Sequence, residues 1–430
     1  MRACRRTDLR SAQSGGAPSD DTQVFLISAS NCWAQQLTWW QKIQKAKARG
    51  CKIITIDSRR TKAAEIADIH LQPKIGTDTA VGAAMIHVII REDLYNHEFV
   101  EKWTHGFKEL ADYVKDWTPQ RAEEISGVPA ADIEAAARLW CKGPGSFWQT
   151  PQSLSHSSNG IHNARIYLLL PALLGYLDIP GGVPFPKGPK GLGNHSSAIH
   201  PDMKEAKWWN DHERRLQRYD AKVVPLWNDM RDAVSPNRLP EWVKEGKLQG
   251  LAGFGFNVNI WPSPAEFKAA IAKLDFAFAV DYFYRPDSHE DLDIVLPSAM
   301  NYERFAPFGV YGARIGVRHP VKPLGEAKED WRIALELGCI IDKPERFFDG
   351  DPEKALAWLL EHWKGDYKAA VKALPEITVL ESPAPVFRKY ESGKFRPDGK
   401  PASIRRPARW NSSRPAPRNS ASRGFPSTSR

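Results

Sequence analysis

Four polar residues stand at the ends of apolar runs, in a pattern that the chain writes twice. Asn31 follows the run from Val24 to Ser30, and Asp57, 26 positions later, follows the run from Lys52 to Ile56. Asn257 follows the run from Leu251 to Phe256, and Asp281, 24 positions later, follows the run from Phe276 to Val280. An amide offers donors and an acceptor together, while a carboxylate accepts from ribose hydroxyls or from the N–H groups of a base edge. At the carboxyl ends of neighbouring strands such a pair faces the crevice where open α/β sheets take ligands. The same residue types also end strands as plain turns. Two copies imply two nucleotide-shaped sites, or one long cofactor with two nucleotide ends.

Between each Asn and Asp lies a helix-forming segment, Gln35–Arg49 in the first copy and Pro264–Lys273 in the second. Strand, helix and strand at that length predict a right-handed parallel crossover. The fold class is therefore α/β, with two Rossmann-like doubly wound units, the second incomplete, and an inserted helical and loop segment. Residues 1–22 are expected to be disordered, and 23–180 to form the first unit. After a short strand near Ile69–Gln72 comes Gly76-Thr77-Asp78. There Gly76 lets a ligand approach the backbone, Asp78 caps a helix running to about Ile90, or both. Helices follow at His97–Trp103, Phe107–Lys115, Gln120–Ser126 and Ala130–Trp140, then a strand at Phe147–Gln149 and a helix over Gly160–Leu174. The loop before that last helix carries His156 and Asn159, a composition suited to an anionic group at a helix N-terminus. His156 either faces a reaction centre or is a solvated loop histidine.

Residues 181–247 read as an insertion dense in Gly, Pro and Lys, with helical segments at Met203–Tyr219 and Val224–Ala233. The second unit spans 248–345 with a third strand at Asp293–Leu296, followed by a helical annex over 346–397 (Pro352–Lys372) and a disordered tail over 398–430. The net charge of +9 sits mostly in that tail, since residues 401–430 hold seven Arg and no acid. The folded part is nearly neutral and shows no basic stripe, so nucleic acid is not an expected partner. No apolar stretch reaches the ~18 residues of a membrane span. The five cysteines are scattered without a CxxC pair, which builds neither a zinc nor an iron–sulfur site and fits a reducing, cytoplasmic setting. Neither opening strand is followed by GxGxxG, which ranks a nicotinamide-type dehydrogenase last.

The strings LISASN, CKIITIDSRR, KIGTDTAVGAA and NGIHNARIYLLLPALLGYLDIPGG, with FAFAVDYFYRPDSHEDLDIVLPSAMNYER and VKPLGEAKEDW, resemble a known family. It is the molybdopterin (bis-guanine-dinucleotide) oxidoreductases of the dimethyl-sulfoxide reductase and formate dehydrogenase group, and the resemblance spans about residues 24–345. It implies two molybdopterin guanine dinucleotides and a molybdenum or tungsten ion, with electron or oxygen-atom transfer on a small-molecule substrate. Asn31, Asp57, Arg59, Gly76, Asp78 and Asn159 would hold one dinucleotide, and Asn257, Asp281 and Ser288 the other. Lys187 stands where formate-dehydrogenase-like members carry a basic residue beside the metal, or is a solvated loop lysine. Asn31-Cys32 and Asn257-Val258 replace the family's usual Asn-Pro. The resemblance finds no counterpart of the N-terminal cysteine motif or of the C-terminal β-barrel, which implies a truncated form. An iron–sulfur cluster is then expected only in a full-length protein, and an iron–sulfur electron-transfer subunit is an expected partner. A cofactor-binding chain without turnover is one alternative. The strings GFNVNIWPSPAEF and NYERFAPF are reminiscent of the branch containing tungsten hydratases, which makes hydration another.

Overall fold

The chain forms two compact units, Met1–Lys187 with Ala384–Arg430, and Gly188–Pro383. The computed structural model describes residues 16–149, 153–154, 156–157, 159–185, 238–304, 321–360 and 386–394, together with 309–311, 314–316, 378–379, 401 and 410–411. Lys187, the segments Met203–Tyr219 and Val224–Ala233, and the annex beyond Leu360 as far as Lys372 lie outside the described residues.

The first unit is built on four parallel strands: β1 (Val24–Ser28), β2 (Lys52–Ile56), β3 (Ile69–Leu71) and β4 (Gly145–Gln149), in the order β3-β2-β1-β4. Their side chains alternate between two cores. Val24, Leu26, Ile54 and Ile56 pack on one face, and Phe25, Ile27 and Ile53 on the other. Both faces are dry, as parallel strands require. One is covered by α1 (Leu37–Ala48) through Trp40, Ile43 and Ala46. The other carries α2 (Asp78–Arg91), whose near-continuous apolar sequence explains its burial. Around it lie α3 (His97–Trp103), α4 (Phe107–Val114), α5 (Pro119–Ser126), α6 (Ala130–Trp140) and α7 (Gly160–Leu173). Gly82 lets α7 approach α2 closely, since a Cβ there would stand 2.7 Å from Ile166 Cγ2. From β1 the chain winds outward to β2 and β3, then returns to β4 on the opposite side of β1. The crevice at the carboxyl ends of β1 and β4 is the point where strand order reverses.

Local departures from the patterning have physical causes. β1 stops at Ser28 because Ala29 is left-handed, with φ 51°. The helix expected over Gln35–Arg49 is broken at Gln36 (φ −147°, ψ 69°) into a single turn, Cys32–Gln35, and α1. Pro119, not Gln120, opens α5, where its missing N–H is harmless and Thr118 Oγ1 accepts from Arg121 N at 3.2 Å. Residues 16–22, expected to be disordered, are held: Gly16 N donates to Phe147 O at 3.0 Å, and Thr22 Oγ1 donates to Gly181 O at 3.1 Å.

In the second unit three parallel strands, β5 (Gly250–Phe254), β6 (Phe276–Asp281) and β7 (Ile294–Pro297), lie in the order β5-β6-β7. α9 (Pro264–Ile271) makes the expected crossover, and α8 (Leu239–Lys244), which the patterning does not announce, joins the same core of Leu239, Phe267, Ala270, Ala277 and Ala279. The other face is thin: Phe254, Phe276 and Ile294 are each close to half exposed. α10 (Asp330–Ile341) and α11 (Pro352–Leu360) follow.

The amino rims of both sheets are tied alike. Asp68 Oδ2 accepts from Ile53 N at 2.8 Å and Asp68 N donates to Ile53 O at 2.8 Å; Asp293 does the same with Ala277 at 2.7 and 2.8 Å. The twin pattern of the sequence is thus a duplication of hydrogen bonds as well as of strands.

Residues 386–394, expected within a helical annex, belong to the first unit. Asp178, fully buried, pairs with Lys389 Nζ and accepts from Lys389 N at 2.8 Å and Phe185 N at 3.2 Å. Tyr390 fills an aromatic box with Phe99 and Trp103, centroids 5.6 and 5.0 Å away. Removing one partner of such a pair leaves a desolvated charge. Lys389→Met should therefore cost about 3–5 kcal/mol, and adding Asp178→Asn should restore much of it, as read by urea denaturation followed through tryptophan fluorescence.

Candidate functional site

The left-handed Ala29 turns Ser30 and Asn31 out of β1 at the carboxyl rim, and its N–H is held by Ile56 O at 2.9 Å. Ser30 is buried, and its Oγ accepts from Trp148 Nε1 at 2.9 Å and lies 3.3 Å from Cys32 Sγ. Trp148 packs against Trp39 with centroids 4.2 Å apart. Anchored on both sides, the loop leaves Asn31 half-buried, with a side chain that makes no cap hydrogen bond. Burial pushes the Cys32 thiol up, against the lowering effect of Ser30. In the place of the usual proline there stands a neutral thiol.

Asp57 is 7% exposed, and its Oδ1 accepts from Arg59 N at 2.9 Å, which fixes the carboxylate at the rim. The Arg59 side chain is exposed beside it. Gly76 has φ 85° and nothing within 4 Å of where a Cβ would lie, so backbone is open to a ligand there. Asp78 is not the cap that was expected. Thr77 holds the N-cap position and turns its hydroxyl to Lys74 O at 2.6 Å, while Asp78 is the first residue of α2. Burial first, and the charge of Asp57 after it, push the Asp78 carboxyl up. The two carboxylates therefore share one rim.

Asn159 is engaged within the protein. Its Nδ2 donates to Thr79 Oγ1 at 3.0 Å and Asn163 Oδ1 at 3.4 Å, and Asn163 Oδ1 also accepts from Thr79 N at 3.1 Å. Asn163, 1% exposed, is the centre of this network and joins the first turns of α2 and α7. Sequence reasoning missed it, although an Asn one helical turn after Asn159 was the available signal. His156 is exposed on the loop before α7.

The second rim repeats the first. Gly255, with φ 66°, precedes Asn257 by two residues as Ala29 precedes Asn31, and its N–H bonds Val280 O at 2.9 Å. Asn257 Oδ1 accepts from Asn259 N at 3.2 Å and from Ser288 Oγ at 3.0 Å. Asp281, 5% exposed, accepts at Oδ1 from Phe283 N at 3.4 Å and ion-pairs through Oδ2 with Arg285. Asn257, Asp281 and Ser288 are thus gathered, together with Asn259, Arg285 and the buried His289, which sequence reasoning passed over.

A family model for molybdopterin oxidoreductases matches residues 3–339, and the chain belongs to that family. It is 26% identical over 337 residues to the assimilatory nitrate reductase catalytic subunit of Bacillus subtilis, covering 76% of this chain and 46% of that protein. It is 39% identical over 371 residues to the acetylene hydratase of Syntrophotalea acetylenica, covering 76% and 48%. The solved structure of acetylene hydratase from Pelobacter acetylenicus superposes with a TM-score of 0.75 at 22% identity, covering 93% of this chain and 57% of that one, a likeness of fold. The chain spans about half the length of the curated relatives it matches.

Membership implies a molybdopterin cofactor with molybdenum or tungsten. The groups at the first rim are of a kind such a cofactor could use: carboxylates at Asp57 and Asp78, the exposed Arg59 side chain, and open backbone at Gly76. Among the described residues no group of three His, Cys, Asp or Glu is placed to hold a metal ion directly, and no helix is long and apolar enough to cross a membrane.

The raised Asp78 carboxyl carries a prediction with a defined sign. The folded state keeps this proton to higher pH than the unfolded chain, so its ionisation opposes folding as pH climbs above the ordinary carboxylate range. Asp78→Asn should therefore be more stable than wild type by at most about 1 kcal/mol near neutrality, with the gain fading as pH falls toward about 4. Thermal unfolding across that range checks it.

Proposed function

We propose that this chain is the cofactor-binding part of a molybdopterin catalytic subunit, gripping one guanine dinucleotide at each rim and supporting electron or oxygen-atom transfer on a small substrate. One observation carries the reading: the same strand-end geometry, left-handed residue, Asn and Asp, occurs twice with matching hydrogen bonds. At the first rim Asp57 and Asp78 accept from the N–H groups of a base, and Arg59 and the Gly76 backbone meet phosphate. Asn31 donates its amide beside them. At the second rim Asn257 offers its amide to the ligand as Asn31 does, with Ser288 and Asp281 beside it. Bound there, the cofactor supplies a metal ion that takes up and passes on electrons or an oxygen atom, and the protein supplies its position and surroundings.

Lys187 would draw in an anionic substrate, and His156 would face the reaction centre. An iron–sulfur subunit would carry electrons away. A second reading is hydration without net redox change, which the 39% identity to an acetylene hydratase favours.

Expression in a host that makes the cofactor, followed by pterin fluorescence and elemental analysis, tests the assignment. Pterin with molybdenum or tungsten is expected, and protein free of both would refute it. Purified without cofactor, the chain should bind GDP, and Asp57→Ala should weaken that binding about 10- to 100-fold, the scale of one or two lost charge-assisted hydrogen bonds. Calorimetry reads the change.

A further inference from the structure

We propose that the turn Pro286–His289 is a positioning device that sets the polarity of the second rim, holding Asn257 with its amide N–H groups outward. The rim then takes a hydrogen-bond acceptor, such as a phosphate oxygen, and rejects a donor. This rests on reading the second rim as a ligand site.

His289 is 1% exposed, and its partners settle its state. A backbone N–H only donates and a backbone carbonyl only accepts. Nδ1 therefore accepts from Arg285 N at 3.1 Å, and Nε2 carries the proton that it donates to Phe256 O at 3.1 Å. The ring neighbours Phe256 and Tyr284, with centroids 6.3 and 5.7 Å away. It thus ties the residue directly before Asn257 to the residue that opens the turn. Ser288, next to it and 4% exposed, acts on Asn257 itself.

The Asn257 oxygen is fully used. Oδ1 accepts from Asn259 N at 3.2 Å and from Ser288 Oγ at 3.0 Å, and Ser288 Oγ in turn accepts from Asn259 Nδ2 at 3.1 Å. Turning the amide over would set Nδ2 against the Asn259 N–H, so the orientation follows from the network. Asn257 Nδ2 has no hydrogen-bond partner among the described residues and lies half-buried at the rim. The Asp281 carboxylate does not repel an anion there, because Arg285 pairs with it. Arg285 occupies both networks, donating its backbone N–H to His289 and its guanidinium to Asp281.

The test uses the full chain in an Asp57→Ala background, so that the first rim contributes little, with inorganic pyrophosphate as probe. Hydrogen exchange over residues 254–259 and 284–290 reads the clamp without any ligand. His289→Leu, which keeps bulk but neither hydrogen bond, should speed exchange in both segments about 10-fold, while His289→Gln, which keeps a donor toward Phe256 O, should spare 254–259. Asn257→Asp, which replaces the outward donor by an acceptor, should weaken pyrophosphate binding at least about 10-fold. Wild-type exchange in His289→Leu would overturn the clamp. Unchanged pyrophosphate binding in Asn257→Asp would overturn the polarity. No pyrophosphate binding to the parent at all would instead refute the ligand reading of the second rim, and with it the selection of an acceptor, while the exchange data still judged the clamp.

Discussion

One backbone hydrogen bond, made once in each unit, underlies the geometry of both rims. The N–H of a left-handed residue at the end of one strand meets the carbonyl just before the aspartate at the end of the next: Ala29 to Ile56, and Gly255 to Val280, both at 2.9 Å. That contact sets where the first strand ends, how far the following Asn stands from the sheet, and how close it comes to the Asp. Glycine adopts this conformation freely, whereas alanine does so at a cost of about 1 kcal/mol. The unit with alanine surrounds it with anchors, Ser30 on Trp148 and Asn31 opening a helical turn. Its glycine counterpart lacks that rigidity and is steadied by His289 on Phe256 O. Strain of this kind persists only where neighbours over-determine it.

The rims share a backbone but differ in charge. At the first, Asp57 and Asp78 stand close enough for one charge to raise the other carboxyl, and the Arg59 side chain is exposed beside them. At the second, the aspartate is neutralised by Arg285 and the Asn oxygen is occupied from within. A duplicated scaffold thus presents acceptors on one side and a donor on the other.

What the sequence made legible was local. Alternating apolar runs in VFLIS and KIITI, and a near-continuous apolar helix at Asp78–Arg91, announce strands, faces and a buried helix. Asp57 stands at the strand end that the patterning announced, and Gly76 just before the buried helix. The partners that hold these residues were not. Asn163 meets Thr79 across 84 positions, and Lys389 meets Asp178 across 211. Such polar contacts carry no periodicity, and a Lys in VFRKYESGK reads as surface until its carboxylate is found. Asp78 was misread for a related reason: its type suits a cap, but the hydroxyl of Thr77 was already turned into the preceding loop.

The closing segment at 386–394 bears on how the protein is made. The pocket around Asp178, Phe99 and Trp103 emerges from the ribosome about two hundred residues before Lys389 and Tyr390 arrive to fill it. Through that interval a carboxylate and an aromatic cleft await their partners while the second sheet is still being translated. Vectorial synthesis therefore finishes the earlier-born unit last, after the strands of the second sheet have been threaded out.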